Sequence, residues 1–127
     1  MDLLLDSHVV LWWDAGDRRL SSEARRRISD PESRVFVSAA MPWEVGIKLR
    51  KGKLTLYCPP EDLITANGFI ALPIDARHGA LAGALEWAHP DPFDRVVVAQ
   101  ALSENLILVH ADRTIRDFDG VAQFWAG

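Results

Sequence analysis

Five acids in this chain stand where an apolar run stops or a helical pattern starts: Asp6, Glu44, Asp91, Asp94 and Asp112. Asp6 directly follows Leu3-Leu4-Leu5, which reads as a buried central strand. Glu44 lies in the first turn of the helix after a second strand, Asp91 and Asp94 open a later helix, and Asp112 follows Leu106-Ile107-Leu108-Val109. In a parallel sheet, the strand ends and the helix starts that they feed lie on the same side. Acids from distant parts of the chain can therefore meet in one cleft. A group of carboxylates with no cysteine and little histidine is a hard-oxygen site, suited to Mg²⁺ or Mn²⁺ rather than zinc. Without a cation such charges repel, and some must protonate. Metal ions at such a site also serve phosphodiester chemistry, by activating water, holding phosphate oxygens and stabilising the leaving oxygen.

Taken singly, each acid also has a plain structural use. Glu44 and Asp94 favour helix dipoles by about 0.3–1 kcal/mol each. Asp91 is a natural N-cap, worth about 1 kcal/mol. Glu44 with Lys48 has the spacing of an i,i+4 pair, and Asp112 suits a turn. Asp6 is the hardest to explain structurally, because it ends a strand expected to be covered on both faces.

The elements that must position these acids alternate between strand and helix. After the first strand, residues 7–15 read as a helix closed by Gly16, and Ser21 caps a basic helix through Arg25, Arg26 and Arg27. Arg34-Val35-Phe36-Val37-Ser38 is a second strand, followed by a helix from Pro42 to Lys51. On that helix Glu44, Lys48 and Lys51 line one face. A short helix over residues 61–67 leads to a third strand over residues 69–74, which Pro73 places near an edge. A helix over residues 75–86 comes next. Asp91-Pro92 then starts a helix that is apolar nearly all round and should be buried. Residues 106–109 form a fourth strand, and a short helix near 113–117 and a strand near 121–125 complete an α/β pattern with a mostly parallel sheet.

Composition narrows the function. The 127 residues fit one domain with a real core, 49% hydrophobic and 25% charged. A net charge of −4 argues against holding nucleic acid by bulk positive charge, but not against carboxylates neutralised by metal ions. One cysteine, Cys58, excludes an intramolecular disulfide and points to a reducing, cytoplasmic setting. The first strand starts almost at Met1, leaving no basic leader, and no apolar run approaches the roughly eighteen residues that span a membrane.

Four stretches then come in a telling order: Leu4-Leu5-Asp6-Ser7-His8; Val37-Ser38-Ala39-Ala40 running into Trp43-Glu44-Val45-Gly46-Ile47-Lys48; Asp91-Pro92-Phe93-Asp94-Arg95; and Leu108-Val109-His110-Ala111-Asp112. Together they resemble PIN-domain proteins of the VapC toxin type, as do Leu49-Arg50-Lys51-Gly52-Lys53-Leu54 and Leu72-Pro73-Ile74. The resemblance runs nearly from end to end. It implies a PIN-like three-layer α/β/α sandwich with a mostly parallel central sheet, one PIN domain over residues 1–127. It also implies a ribonuclease toxin of a type II toxin–antitoxin pair, cutting RNA with Mg²⁺ or Mn²⁺. Such proteins are usually homodimers, silenced by a cognate antitoxin that covers the active site.

Position by position, the resemblance makes Asp6, Glu44, Asp94 and Asp112 the catalytic, metal-holding acids and Ser7 their hydroxyl neighbour. Asp91 is read as the helix cap. Lys48, Lys51, Arg50 and Arg95 are candidates for phosphates at the rim, with Lys48 and Lys51 favoured by sharing Glu44's helix face. The departures are Ser7 where threonine is common, Met41-Pro42 where a Ser-Leu pair is usual, and His110 where a small hydroxyl residue is common. The second could shift Glu44, and the third is read as a structural or solvent-facing histidine. Trp12, Trp13 and Trp43 are expected mostly in the core, with one or two serving a dimer or antitoxin groove. The alternative is a non-catalytic PIN-like RNA- or partner-binding module, against which the complete acid set argues. A phosphoacceptor domain would need a lysine after its fifth strand, and no lysine follows Lys53.

Overall fold

Leu3, Leu4 and Leu5 are at most 1% exposed and form the middle strand of the sheet. The computed structural model describes residues 1–127. Its strands are β1 (Asp2–Leu5), β2 (Arg34–Ser38), β3 (Ile70–Leu72), β4 (Ile107–His110) and β5 (Gln123–Trp125). Their spatial order is β3-β2-β1-β4-β5, and every pairing is parallel. The expected mostly parallel sheet is thus entirely parallel, and β3 is an edge strand, as Pro73 indicated.

Seven helices connect the strands: α1 (Ser7–Ala15), α2 (Ser22–Ser29), α3 (Ala40–Arg50), α4 (Asp62–Ala66), α5 (Ala76–Ala84), α6 (Pro92–Ser103) and α7 (Arg113–Arg116). Side chains alternate across a strand, so β1 feeds two cores. Leu3 and Leu5 pack with Val9 and Val10 of α1, Ile28 of α2, Val45 of α3 and Leu63 of α4. Leu4 packs with Val97 and Val98 of α6 and Ile115 of α7. Two helical layers around one sheet make the three-layer α/β/α sandwich. No helix is long and apolar enough to cross a membrane.

Local signals set most boundaries. Gly16 ends α1 at φ 63°, a left-handed conformation that favours glycine. Ser21 Oγ accepts the Ala24 N–H at 3.1 Å and caps α2. Asp91 caps α6, with Pro92 first in the helix. Three expectations need correction. Helix α3 starts at Ala40, not Pro42, because Ser38 Oγ accepts the Ala40 N–H at 3.0 Å. Pro42 is then third in the helix, among the first positions whose N–H has no partner within it. Helix α6 is buried along Val97–Ala101, but Leu102 beyond them is 38% exposed. Trp43 is not core at all: it is 62% exposed, while Trp12 and Trp13 are half-buried against the larger core.

Candidate active site

The chain leaves β1 for β2 and β3 on one side and returns to β4 and β5 on the other, so β1 and β4 flank the point where strand order reverses. Open parallel sheets place their ligands there, outside the carboxyl ends of the strands. Asp6 stands at that crevice. Its backbone N–H donates to Val109 O at 3.0 Å, extending the β1–β4 ladder by one step. Its Oδ1 accepts the Ser7 N–H at 2.7 Å, and the residue is 8% exposed.

The other three acids come from separate segments and surround Asp6. Burial first, and then the Asp94, Glu44 and Asp112 carboxylates, together push the Asp6 carboxyl up to about 7, against the opposing Ser7 N–H. Glu44, one turn into α3, accepts a hydrogen bond from Ser7 Oγ on its Oε1 at 2.7 Å. It turns to Ser7 rather than to Lys48, so the residue after Asp6 orients an acid 37 positions away. The Met41-Pro42 departure has not removed Glu44 from the cleft. Asp94, in the first turn of α6, is pushed up to about 6, chiefly by burial. Its Oδ2 bonds His89 Nε2 at 2.7 Å, while Asp91 and Asp112 add like charge. Asp112 caps α7, its Oδ1 accepting the Thr114 and Ile115 N–H groups at 2.8 and 3.3 Å.

His110 proves structural. It is fully buried, and its Nδ1 accepts the Asp112 N–H at 3.1 Å. That bond places its proton on Nε2, which donates to Gln123 Oε1 at 2.7 Å. Gln123 in turn donates to Ile115 O and Phe118 O. This chain of bonds holds the backbone at Asp112 to β5 and α7.

Two groups of side chains lie close enough to hold a metal ion, with ligand atoms within 4.8 Å of one another: His89 with Asp91 and Asp94, and Asp75 with His78 and Glu104. In the second, both ring nitrogens are committed. His78 Nδ1 accepts the Asp75 N–H at 3.1 Å, and Nε2 donates to Glu104 Oε2 at 2.8 Å, tying α5 to the end of α6. The first joins the acid cleft through Asp94. No three of Asp6, Glu44, Asp94 and Asp112 approach that closely, so the four acids ring the cleft rather than close on one point. Their chemistry still fits a hard divalent cation: all are carboxylates, and the buried one is pushed up by its burial and then by its like-charged neighbours, with no cation beside it.

His89 was not legible as a functional residue, because five positions upstream of Asp94 it reads as part of a loop. Arg95 differs from expectation in the opposite sense. Its guanidinium does not face a phosphate. Nε donates to Ala82 O at 2.9 Å, Nη2 to Leu85 O at 2.9 Å, and Nη1 to Trp87 O and His89 O at 2.5 and 3.1 Å. Arg95 therefore fastens the segment that carries His89 against Asp94, and its assignment to substrate is corrected. Arg95→Ala should cost about 2–4 kcal/mol by leaving four carbonyls without a charged donor, lowering the thermal midpoint by roughly 10 °C. Arg95→Lys should restore little of this, since an ammonium cannot reproduce the planar fork; thermal melts of both variants check the point.

Lys48 is half-buried and Lys51 is exposed just past the end of α3. Lys48 also borders a groove of about 690 Å³ between α1 and residues 53–57, lined by His8, Trp12, Leu54 and Tyr57 among others. Cys58 is half-buried against the larger core and takes no part in the cleft.

Comparison with known proteins decides the family. The PIN domain family model matches residues 3–121. The chain belongs to the PIN-domain family. This PIN-domain chain is also 32% identical over 118 residues to Ribonuclease VapC22 of Mycobacterium tuberculosis, covering 90% of the chain and 89% of that protein, which makes it VapC-type. Among solved structures, the PIN fold here resembles VapBC2 from Rickettsia felis bound to a DNA fragment of its promoter, with TM-score 0.70, 13% identity and 98% of both chains covered. A toxin–antitoxin complex from Klebsiella pneumoniae matches at TM-score 0.69 and 17% identity, again over 98% of both chains.

Proposed function

We propose that this VapC-type PIN domain, residues 1–127, is the toxin of a type II toxin–antitoxin pair, a cytoplasmic ribonuclease that hydrolyses RNA phosphodiester bonds. The observation that carries this reading is the convergence of Glu44, Asp94 and Asp112 on the buried Asp6 at the switch point of the sheet. Asp6, Glu44, Asp94 and Asp112 would hold Mg²⁺ or Mn²⁺, which when bound supplies the positive charge that polarises phosphate and water.

The chain's own residues do the rest. Ser7 Oγ keeps one Glu44 oxygen aimed and leaves the other free. His89 does the same for Asp94, and the His110–Gln123 pair fixes the backbone at Asp112. Burial keeps water from competing at Asp6. Lys48, on the helix that carries Glu44, and Lys51, just past its end, neutralise flanking phosphates. No protein nucleophile is required, and the products carry 5′-phosphate and 3′-hydroxyl ends. The cognate antitoxin lies over the cleft and the neighbouring groove beside Trp12, and the toxin is a homodimer.

The test is cleavage of RNA by protein purified free of any partner. Hydrolysis should require Mg²⁺ or Mn²⁺ and stop on adding chelator. Cleavage undiminished by chelator, or none with either ion, would sink the reading.

A further inference from the structure

Trp43 is 62% exposed, an unusual place for the largest apolar side chain. Among the exposed large apolar residues, which include Met1, Tyr57, Ile70, Ile74 and Leu102, it alone is next in sequence to one of the four acids. It is also held in place. The Phe93 ring meets it edge to face, with centroids 4.7 Å apart and planes at 79°. Phe93 immediately precedes Asp94, as Trp43 immediately precedes Glu44. Each aromatic ring is therefore one helical position from an acid of the cleft, and their contact bridges α3 and α6 at its lip.

An aromatic pair fixed to the backbone that holds the reacting centre, with its larger ring open to solvent, has the features of a stacking platform. Proteins that grip single-stranded RNA pair such rings with cations along the backbone path, because every base offers a π-face. Lys48 on the same helix and Lys51 just past its end supply those cations. We propose that Trp43, braced by Phe93, stacks on a nucleobase of single-stranded RNA beside the phosphate held at the acids, and so selects unpaired RNA and sets its register. A docking face for another protein would need about 800 Å² on this side of the molecule. A single ring at the edge of an acidic cleft is the better match to a single base.

The proposal rests on the ribonuclease reading, and its test separates the two. A labelled 12-nucleotide single-stranded RNA of mixed sequence, and copies each lacking one base, would be titrated with Ca²⁺ in place of Mg²⁺, so that a cation still links phosphate to the acids, with wild type, Trp43→Ala and Trp43→Phe. The expected result is a loss of affinity of about five- to a hundredfold in Trp43→Ala and a smaller loss in Trp43→Phe. One base-less copy should bind wild type more weakly while binding Trp43→Ala no worse than the intact RNA does. Equal affinity in all three proteins, or a loss in Trp43→Ala that is the same for every base-less copy, overturns the proposal. So does a change in oligomeric mass of Trp43→Ala by sedimentation with RNA affinity unchanged, which would assign the ring to a second copy of the chain. If wild type cleaves the RNA with Mg²⁺ and only the stacking result fails, the ribonuclease reading stands; no cleavage by wild type removes both.

Discussion

Replacing Asp6 by asparagine should reduce RNA cleavage by more than about a hundredfold while leaving the fold intact. Changes to residues that merely orient metal ligands typically cost about 10–100-fold, and Asp6 is proposed as a ligand itself. The substitution is nearly isosteric. The asparagine Oδ1 can still accept the Ser7 N–H that Asp6 accepts at 2.7 Å, so the start of α1 keeps its bond. What is lost is the negative charge around which Glu44, Asp94 and Asp112 are arranged. Loss of activity with retained thermal stability and unchanged circular dichroism is the expected pair of results. Activity within a few-fold of wild type would remove Asp6 from the mechanism.

The second large effect is on stability. In chelator, the wild-type protein should be less stable at pH 8 than at pH 5, the reverse of the usual behaviour of paired carboxylates. Asp6 is pushed up to about 7 and Asp94 to about 6, while both titrate near the ordinary value of 3.8 in the unfolded chain. Between about pH 4 and 7 the native state then holds more protons than the unfolded state. Stability falls with rising pH wherever that holds, and levels off above the folded-state values. At 1.36 kcal/mol per pH unit, Asp6 accounts for a loss of about 2–4 kcal/mol over that window. Asp17, held down to about 2 by the Arg19 guanidinium, has the opposite sign but acts only below about pH 4; His8 and His110, which burial lowers from 6.5, also have the opposite sign and offset part of the loss below that value.

Two controls sharpen this expectation. Asp6→Asn should flatten much of the slope and be more stable than wild type at pH 8, because it removes a buried charge that lacks a cationic partner. Mg²⁺ should raise the wild-type melting temperature more at pH 8 than at pH 5, where protons compete for the carboxylates. Urea or thermal melts across pH, with and without the ion, measure all three. Stability that rises from pH 5 to pH 8 in chelator would contradict the electrostatic account of the cleft.

Arg95 and Trp43 mark where reading by residue type failed. Each is amphipathic, and nothing in the local pattern says which way such a side chain turns. An arginine beside a candidate acid looks like a hand for phosphate, but Arg95 found four backbone carbonyls in residues 82–89. A tryptophan in an apolar helix looks like core, but α3 presents its Met41 and Val45 inward and leaves Trp43 outside. His89 was missed for a related reason. Its partner is five residues away across a turn, and only the path imposed by Arg95 brings the two together.

From the sequence alone came the features that depend on neighbours along the chain: the apolar strands, the Gly16 stop, the Ser21 and Asp91-Pro92 starts, and the acids at element ends. These follow from periodicity, capping and backbone preference within a few residues, so they are legible without a structure. The order of the motifs also disclosed the family, and with it which acids to gather. The tertiary structure alone decided that β1 lies between β2 and β4, and so which strand ends face one crevice. It decided that Ser7 meets Glu44, that His89 meets Asp94, and that His110 anchors Asp112. Contacts of this kind depend on how whole layers pack, and a hydrogen bond across 37 residues leaves no local trace in either partner.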